Sequence, residues 1–126
     1  MDINSLKPAE RVIEIVHPGN GEKLDIKVTI LSLNDERLTT VRRRIQNKRI
    51  ELEKRGKTFK ADDIEENELD LLLAGITGWF WEGESSFNGE KPEFNERNVK
   101  KVLKELPWFK EQIKEAIGDE KAFFQN

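Results

Sequence analysis

The sequence predicts an α+β fold, an N-terminal antiparallel β-hairpin followed by about four α-helices, in one domain spanning residues 1–126. Three observations carry this. Leu24, Ile26, Val28 and Ile30 alternate with Asp25, Lys27 and Thr29, the period of a strand buried on one face. From about residue 35 onward, apolar residues instead recur at intervals of three and four, the period of amphipathic helices. With strands first and helices after, the economical architecture packs helices on one face of a small antiparallel sheet.

The hairpin covers about 11–31. Arg11–His17 is rich in Val and Ile, and Pro18-Gly19-Asn20-Gly21 supplies the turn, with Gly19 and Gly21 available where positive φ is required. The first helix is expected over about 35–55. Asn34 or Asp35 caps it, Leu38, Val41, Ile45 and Leu52 share a face, and Gly56 ends it. A second helix is expected over about 63–80. It opens at Asp62 or Asp63 in capping-box spacing with Glu65 or Glu66 and carries the stripe Leu69, Leu72, Leu73, Ile76 and Phe80. A third is expected over about 95–106, starting near Asn95 with Val99, Val102, Leu103 and Leu106 on one side. Pro107 interrupts the chain. Because proline suits a first helical position, a fourth helix follows over about 108–117, with Phe109, Ile113, Ala116 and Ile117 inward.

Composition narrows the chemistry. The chain has one histidine, His17, and neither cysteine nor tyrosine, so thiol nucleophiles, disulfides and clustered-histidine metal sites have no raw material. The acidic run DDIEENELD lacks the glycine and ligand alternation of a calcium loop and lies where a helix is expected. No catalytic residue, metal site or cofactor is assigned. No apolar run approaches the roughly 20 residues of a membrane span, and the start MDINSLKPAE does not read as a secretion signal.

Charge comes in blocks. Residues 35–60 hold ten basic and four acidic side chains, net +6, whereas residues 61–96 hold one basic and eleven acidic, net −10. The simplest arrangement packs the basic helix beside an acidic one so that the charges largely cancel. A basic helix can also neutralise phosphates, yet Glu51 and Glu53 interrupt this one and it carries no aromatic stacking platform, which makes nucleic acid the lesser partner.

Large rings crowd the second half of the chain. Trp79, Phe80 and Trp81 run consecutively out of the expected second helix into a glycine-bearing acidic loop that contains Phe87. On a helix, Trp79 and Trp81 cannot both share the face of Phe80, so at least one becomes a candidate contact for a protein partner. The candidate partner-binding set is therefore Trp79, Trp81 and Phe87, with Arg42, Arg43, Arg44, Lys48 and Arg49 of the basic helix supplying complementary charge.

Residues 72–124 carry an ordered series of features: an apolar helix reaching Gly78-Trp79, an acidic loop with Gly89, and the helix start Phe94-Asn95-Glu96-Arg97-Asn98. The helix Val99–Leu106, the break at Pro107, the final amphipathic stretch Ile113–Ile117 and the ending Phe123-Phe124 complete it. In this order the features resemble the closing part of tail assembly chaperones of long-tailed bacteriophages. The first half carries no motif diagnostic of that family. The resemblance implies a non-catalytic factor that coats the helical tape-measure protein, helps bring tail-tube protein to it in the host cytoplasm, self-associates on it, and is absent from the finished particle. In some members a longer frameshifted product carries the tube-recruiting extension, and this chain looks like the shorter form. The alternatives are a structural or adaptor component of a phage tail and, third, a nucleic-acid-binding module acting through the basic helix.

Overall fold

A computed structural model describes residues 2–124. A 3-10 turn at Ile3–Ser5 precedes β1 (Arg11–Val16) and β2 (Lys23–Ile30). Next come α1 (Glu36–Lys54), α2 (Ala61–Gly75), β3 (Ile76–Trp81), α3 (Glu96–Glu105), α4 (Pro107–Gly118) and a closing 3-10 turn, Glu120–Phe124. The α+β class holds, but the strands do not all precede the helices. The sheet is three-stranded and antiparallel in the order β1-β2-β3.

The order follows from the connections. Two antiparallel helices carry the chain away from the end of β2 and back to it, so β3 must run down the free side of β2 in the opposite direction. Its register places Lys27 beside Phe80 and Val28 beside Trp79, with a bulge near Ile30. In the β1–β2 turn only Gly21 takes positive φ, at 75°. His17 does the remaining work there: its Nδ1 accepts hydrogen bonds from the backbone N–H groups of Gly19 and Asn20, at 3.0 and 3.2 Å.

The helix expected over 63–80 is the main correction. It ends at Gly75, and residues 76–81 form a strand. ITGWFW is rich in β-branched and aromatic residues, which suit a pleated, half-buried surface better than a helical one. Its alternation reverses the expected roles of the rings. Trp79 and Trp81 point into the core, 6% and 9% exposed, while Phe80 between them is 65% exposed on the outer sheet face. Phe94, just before α3, is 43% exposed, although its ring meets Trp79 edge-on at 5.8 Å.

The other boundaries follow their caps. The Asp35 carboxylate accepts from the Arg37 N–H at 2.9 Å to start α1, and Gly56, at φ 73°, ends its connection. α2 begins slightly earlier than expected, where the Asp63 carboxylate accepts from the Lys60 N–H at 3.0 Å. Asn95 caps α3 by accepting from the Asn98 N–H at 2.8 Å, and Pro107 occupies the first turn of α4. One contiguous core joins Ile15, Ile26, Val28 and Ile30 of the sheet to Leu69 and Leu72 of α2, Val102 and Leu103 of α3, and Phe109, Ile113 and Ile117 of α4. Each such side chain contributes about 1.5–3 kcal/mol on burial.

Helix α1 stands apart from this core. Leu38, in its first turn, is its one buried residue, and beyond it α1 packs mainly on α2. α1 and α2 thus form a helical hairpin extending from the body of the fold.

Candidate protein-binding groove

Burial removes Trp79 and Trp81 from any direct contact with a partner. The indoles lie edge to face, with centroids 5.7 Å apart, and Trp81 stacks on Phe109. Trp79 Nε1 donates to the Pro92 carbonyl at 3.1 Å, which ties the acidic loop back across β3. Phe87 is half-buried against the same core, and its backbone pairs with that of Glu90 at the loop's tip. All three rings shape the fold. The expectation that Trp79 and Trp81 offer exposed contacts does not hold, because a strand, unlike a helix, puts residues two apart on one face, here the buried one, whereas half-buried Phe87 keeps part of its ring accessible.

The exposed apolar surface lies elsewhere. Along the α1–α2 hairpin, Ile45 and Ile50 from α1, Phe59 from the connection, and Ile64 and Leu71 from α2 line a groove of about 600 Å³. Ile50 and Ile64 are 44% and 56% exposed. The rim is charged. Arg42 and Arg49 stand along α1, Glu53 follows one turn on, and Glu68 and Lys114 close the far side. Arg49 holds Phe59 from above, with its guanidinium 5.9 Å from the ring centroid, and pairs with Glu53 at 3.4 Å.

The five basic residues singled out on α1 do not form one stripe. Arg42 and Arg49 border the groove. Arg44 lies on the opposite flank, in a cleft shared with Val41, Asp70, Leu73 and Phe94. Arg43 and Lys48 are exposed and make no ion pair among the described residues. Nor does α1 cancel its charge against α2. No ion pair joins the two helices among the described residues: Glu66 pairs with Lys100 at 3.1 Å, and Glu68, though it lines the groove, with Lys110 and Lys114 at 3.5 and 3.2 Å. The hydrogen bond and charge of Lys100 hold the Glu66 carboxyl below its ordinary range.

Sequence reasoning missed Ile50, Phe59 and Ile64. Their signal was present: Ile50 and Ile64 sit off the main apolar stripes of their helices, among charged neighbours, where no core requires them. Among the described residues, no group of three or more His, Asp or Glu side chains is placed to hold a metal ion, and no helix is long and apolar enough to cross a membrane. No protein-family model, no curated protein and no solved structure matches this chain.

Proposed function

We propose that the protein is a non-catalytic tail assembly chaperone of a long-tailed bacteriophage, acting in the host cytoplasm, and that the α1–α2 groove receives an amphipathic helix of the tape-measure protein. The observation that carries this reading is the groove itself. Two antiparallel helices present Ile45, Ile50, Phe59, Ile64 and Leu71 along a trough rimmed by charge, the surface a third helix covers with residues at i, i+3, i+4 and i+7. The ordered features of residues 72–124 and their resemblance to such chaperones support the same reading. An unassembled tape-measure protein exposes long apolar helical seams, and many grooves acting along one client keep it soluble without ATP. Delivery of tail-tube protein to the coated client is the remaining part of the proposal. Arg42, Arg49 and Lys114 favour a client helix with acidic residues flanking its apolar stripe.

Co-expression with the tape-measure protein tests this. The native chain should bring the client into the soluble fraction, and Ile50→Asp with Ile64→Asp should abolish that effect while leaving the far-ultraviolet circular dichroism of the free protein unchanged. Purified virions should lack the protein. Its presence there in stoichiometric amount would replace the chaperone reading with the structural or adaptor one.

A further inference from the structure

We propose that β1 is a docking edge for an extended basic segment of another protein, which joins the sheet as a fourth strand beside α4. The inference rests on the Gln112 side chain. Its Oε1 accepts from the Val16 N–H at 3.0 Å and its Nε2 donates to the Val16 carbonyl at 2.8 Å, so one side chain of α4 makes both bonds that a residue of a neighbouring strand would make. Val16 therefore turns its backbone away from β2. The next residue turns toward it, the His17 N–H donating to the Glu22 carbonyl at 2.8 Å. Because alternate residues of an antiparallel strand turn the same way, the N–H and C=O groups of Val12 and Glu14 are directed outward as well. Both residues are exposed, and no group among the described residues bonds to those backbone atoms. Gln112 bounds this window at one end and the closing 3-10 turn at the other, where the Phe123 carbonyl accepts from the Ala9 N–H at 3.3 Å.

The other sheet edge is less available, since Lys91 takes the Trp81 carbonyl of β3. Arg11–Val16 contains neither the lysine nor the proline that commonly keeps an edge from pairing. Beside it lies a cavity of about 270 Å³, lined by Ile13 and Ala116 and, on the α4 side, by Glu115 and Asp119. Glu115 is exposed and makes no ion pair among the described residues, and Asp119 reaches Arg11 only at 3.8 Å. Glu14, which pairs with Lys23 at 3.4 Å, adds a third carboxylate against the one cation of Arg11. These features choose the occupant. Backbone groups turned outward at every second residue match a chain that is itself extended, and carboxylates beside a small apolar patch suit Lys or Arg, with the stem on Ile13 and Ala116 and the charged end at Glu115. Backbone pairing supplies affinity, while the carboxylates select the sign of the segment. Lys114 of α4 lines the α1–α2 groove, whereas Gln112, Glu115 and Ala116 line this cavity, so the two surfaces are separate and neither depends on what the other binds.

A peptide of about nine residues that alternates Lys with Val and Thr, titrated into the isotope-labelled full chain and followed by nuclear magnetic resonance, tests the proposal. The dissociation constant should lie below about 1 mM, and the amide shifts should fall on β1 and on α4 around Gln112 and Glu115. Hydrogen exchange at the Val12 and Glu14 amides should slow at least about fivefold at saturation. The same peptide with every backbone N–H methylated keeps its charge but loses its donors, and should bind at least about tenfold more weakly. So should a peptide with Glu in place of Lys. Proline is tolerated on an edge where the N–H faces away from the ladder, so Val12→Pro should keep the native circular dichroism and lose at least about tenfold in affinity. Glu115→Lys should weaken binding at least about threefold. Absence of binding at about 1 mM overturns the proposal, as does equal affinity for the methylated peptide, which needs no folded variant to read. Shifts that fall instead on Ile50, Phe59 and Ile64, or on the acids of α2, overturn it too.

Discussion

Trp81 lies nearly parallel to Phe109, their ring centroids 6.1 Å apart and their planes 14° apart, so the last residue of β3 is clamped to the first turn of α4. Trp79 sits against Trp81 on the same face, and together the indoles join the sheet to the helical layer. Truncating either ring removes a large buried side chain at a junction of three elements. Trp79→Ala or Trp81→Ala should each cost about 3–5 kcal/mol, read as a loss of the cooperative urea transition, whereas the exposed Ile50→Asp and Ile64→Asp changes should leave that transition nearly in place.

A milder pair of substitutions separates the two indoles. Trp79 Nε1 donates to the Pro92 carbonyl, while Trp81 Nε1 is buried without a hydrogen-bond partner among the described residues. Trp79→Phe loses a hydrogen bond as well as volume; Trp81→Phe loses volume but also relieves an unpaired polar group. Trp79→Phe should therefore be the more destabilising by about 1 kcal/mol in matched urea titrations. Equal costs would mean that the Pro92 bond adds nothing to folding.

Gly75 marks the turn from α2 into β3 and leaves no room for a side chain. A Cβ there would stand 2.8 Å from Ile117 Cδ1 and 3.5 Å from Leu38 Cδ1, both in the buried core. Gly75→Val should cost about 1–3 kcal/mol through overpacking. Because the nearest obstacle is a single methyl, Ile117→Ala should suppress part of that cost in a double-mutant cycle, and strict additivity of the two changes would place the strain elsewhere.

How far the sequence reveals this fold can be traced residue by residue. Helix starts at Asp35 and Asn95, the proline start of α4 and the alternating β2 were legible because each rests on local chemistry: a carboxylate or amide that accepts from a backbone N–H, a fixed φ, a period of two. β3 was not. Leu69, Leu72, Leu73, Ile76 and Phe80 keep helical spacing across the true boundary at Gly75, so the apolar pattern alone continued the helix. What ends it is tertiary, the pairing of Ile76–Trp81 with β2, and no local signal reports a partner strand almost fifty residues away. That one error inverted the aromatic triplet, which has Trp79 and Trp81 inside and Phe80 outside. The basic residues of α1 were correctly placed on a helix, but which of them flank a groove depends on where α2 lies.

The α1 cap gives a pH prediction. Asp35 accepts from the Arg37 backbone N–H and also pairs with its guanidinium, at 3.0 and 3.1 Å, and this pairing holds the carboxyl below its ordinary value of 3.8. A depressed folded pKa means that the stabilisation is fully present above about pH 4 and is lost as the pH falls through the folded value. Asp35→Ala should cost about 1 kcal/mol at neutral pH, and less at pH 3 as protonation removes the native advantage. Asp35→Asn retains an acceptor for the N–H and should recover part of the loss, with a flatter dependence below pH 4. Urea midpoints for the three proteins at pH 7 and pH 3 give the comparison, and a cost for Asp35→Ala that grows on acidification would refute the assignment.

Lys91 guards the open side of the sheet. β3 is an edge strand rich in aromatic and β-branched residues, the kind that recruits another chain by pairing. The Lys91 ammonium occupies the Trp81 carbonyl, and the Pro92 carbonyl next to it holds the Trp79 indole, so one short stretch of loop is fastened to β3 at two points. Lys91→Met keeps the aliphatic stem but leaves the carbonyls of Trp81 and Gly83 without their donor. Global stability should fall by roughly 1–2 kcal/mol, the scale of charge-assisted hydrogen bonds at a part-buried site. Amide exchange along β3 should rise more than in α3 or α4, because the change loosens the loop over the edge before it disturbs the core. Heated below its unfolding midpoint, the variant should also aggregate sooner than the native chain. Unchanged exchange at Trp79 and Trp81 would show that the edge is held by the indole-to-Pro92 bond alone.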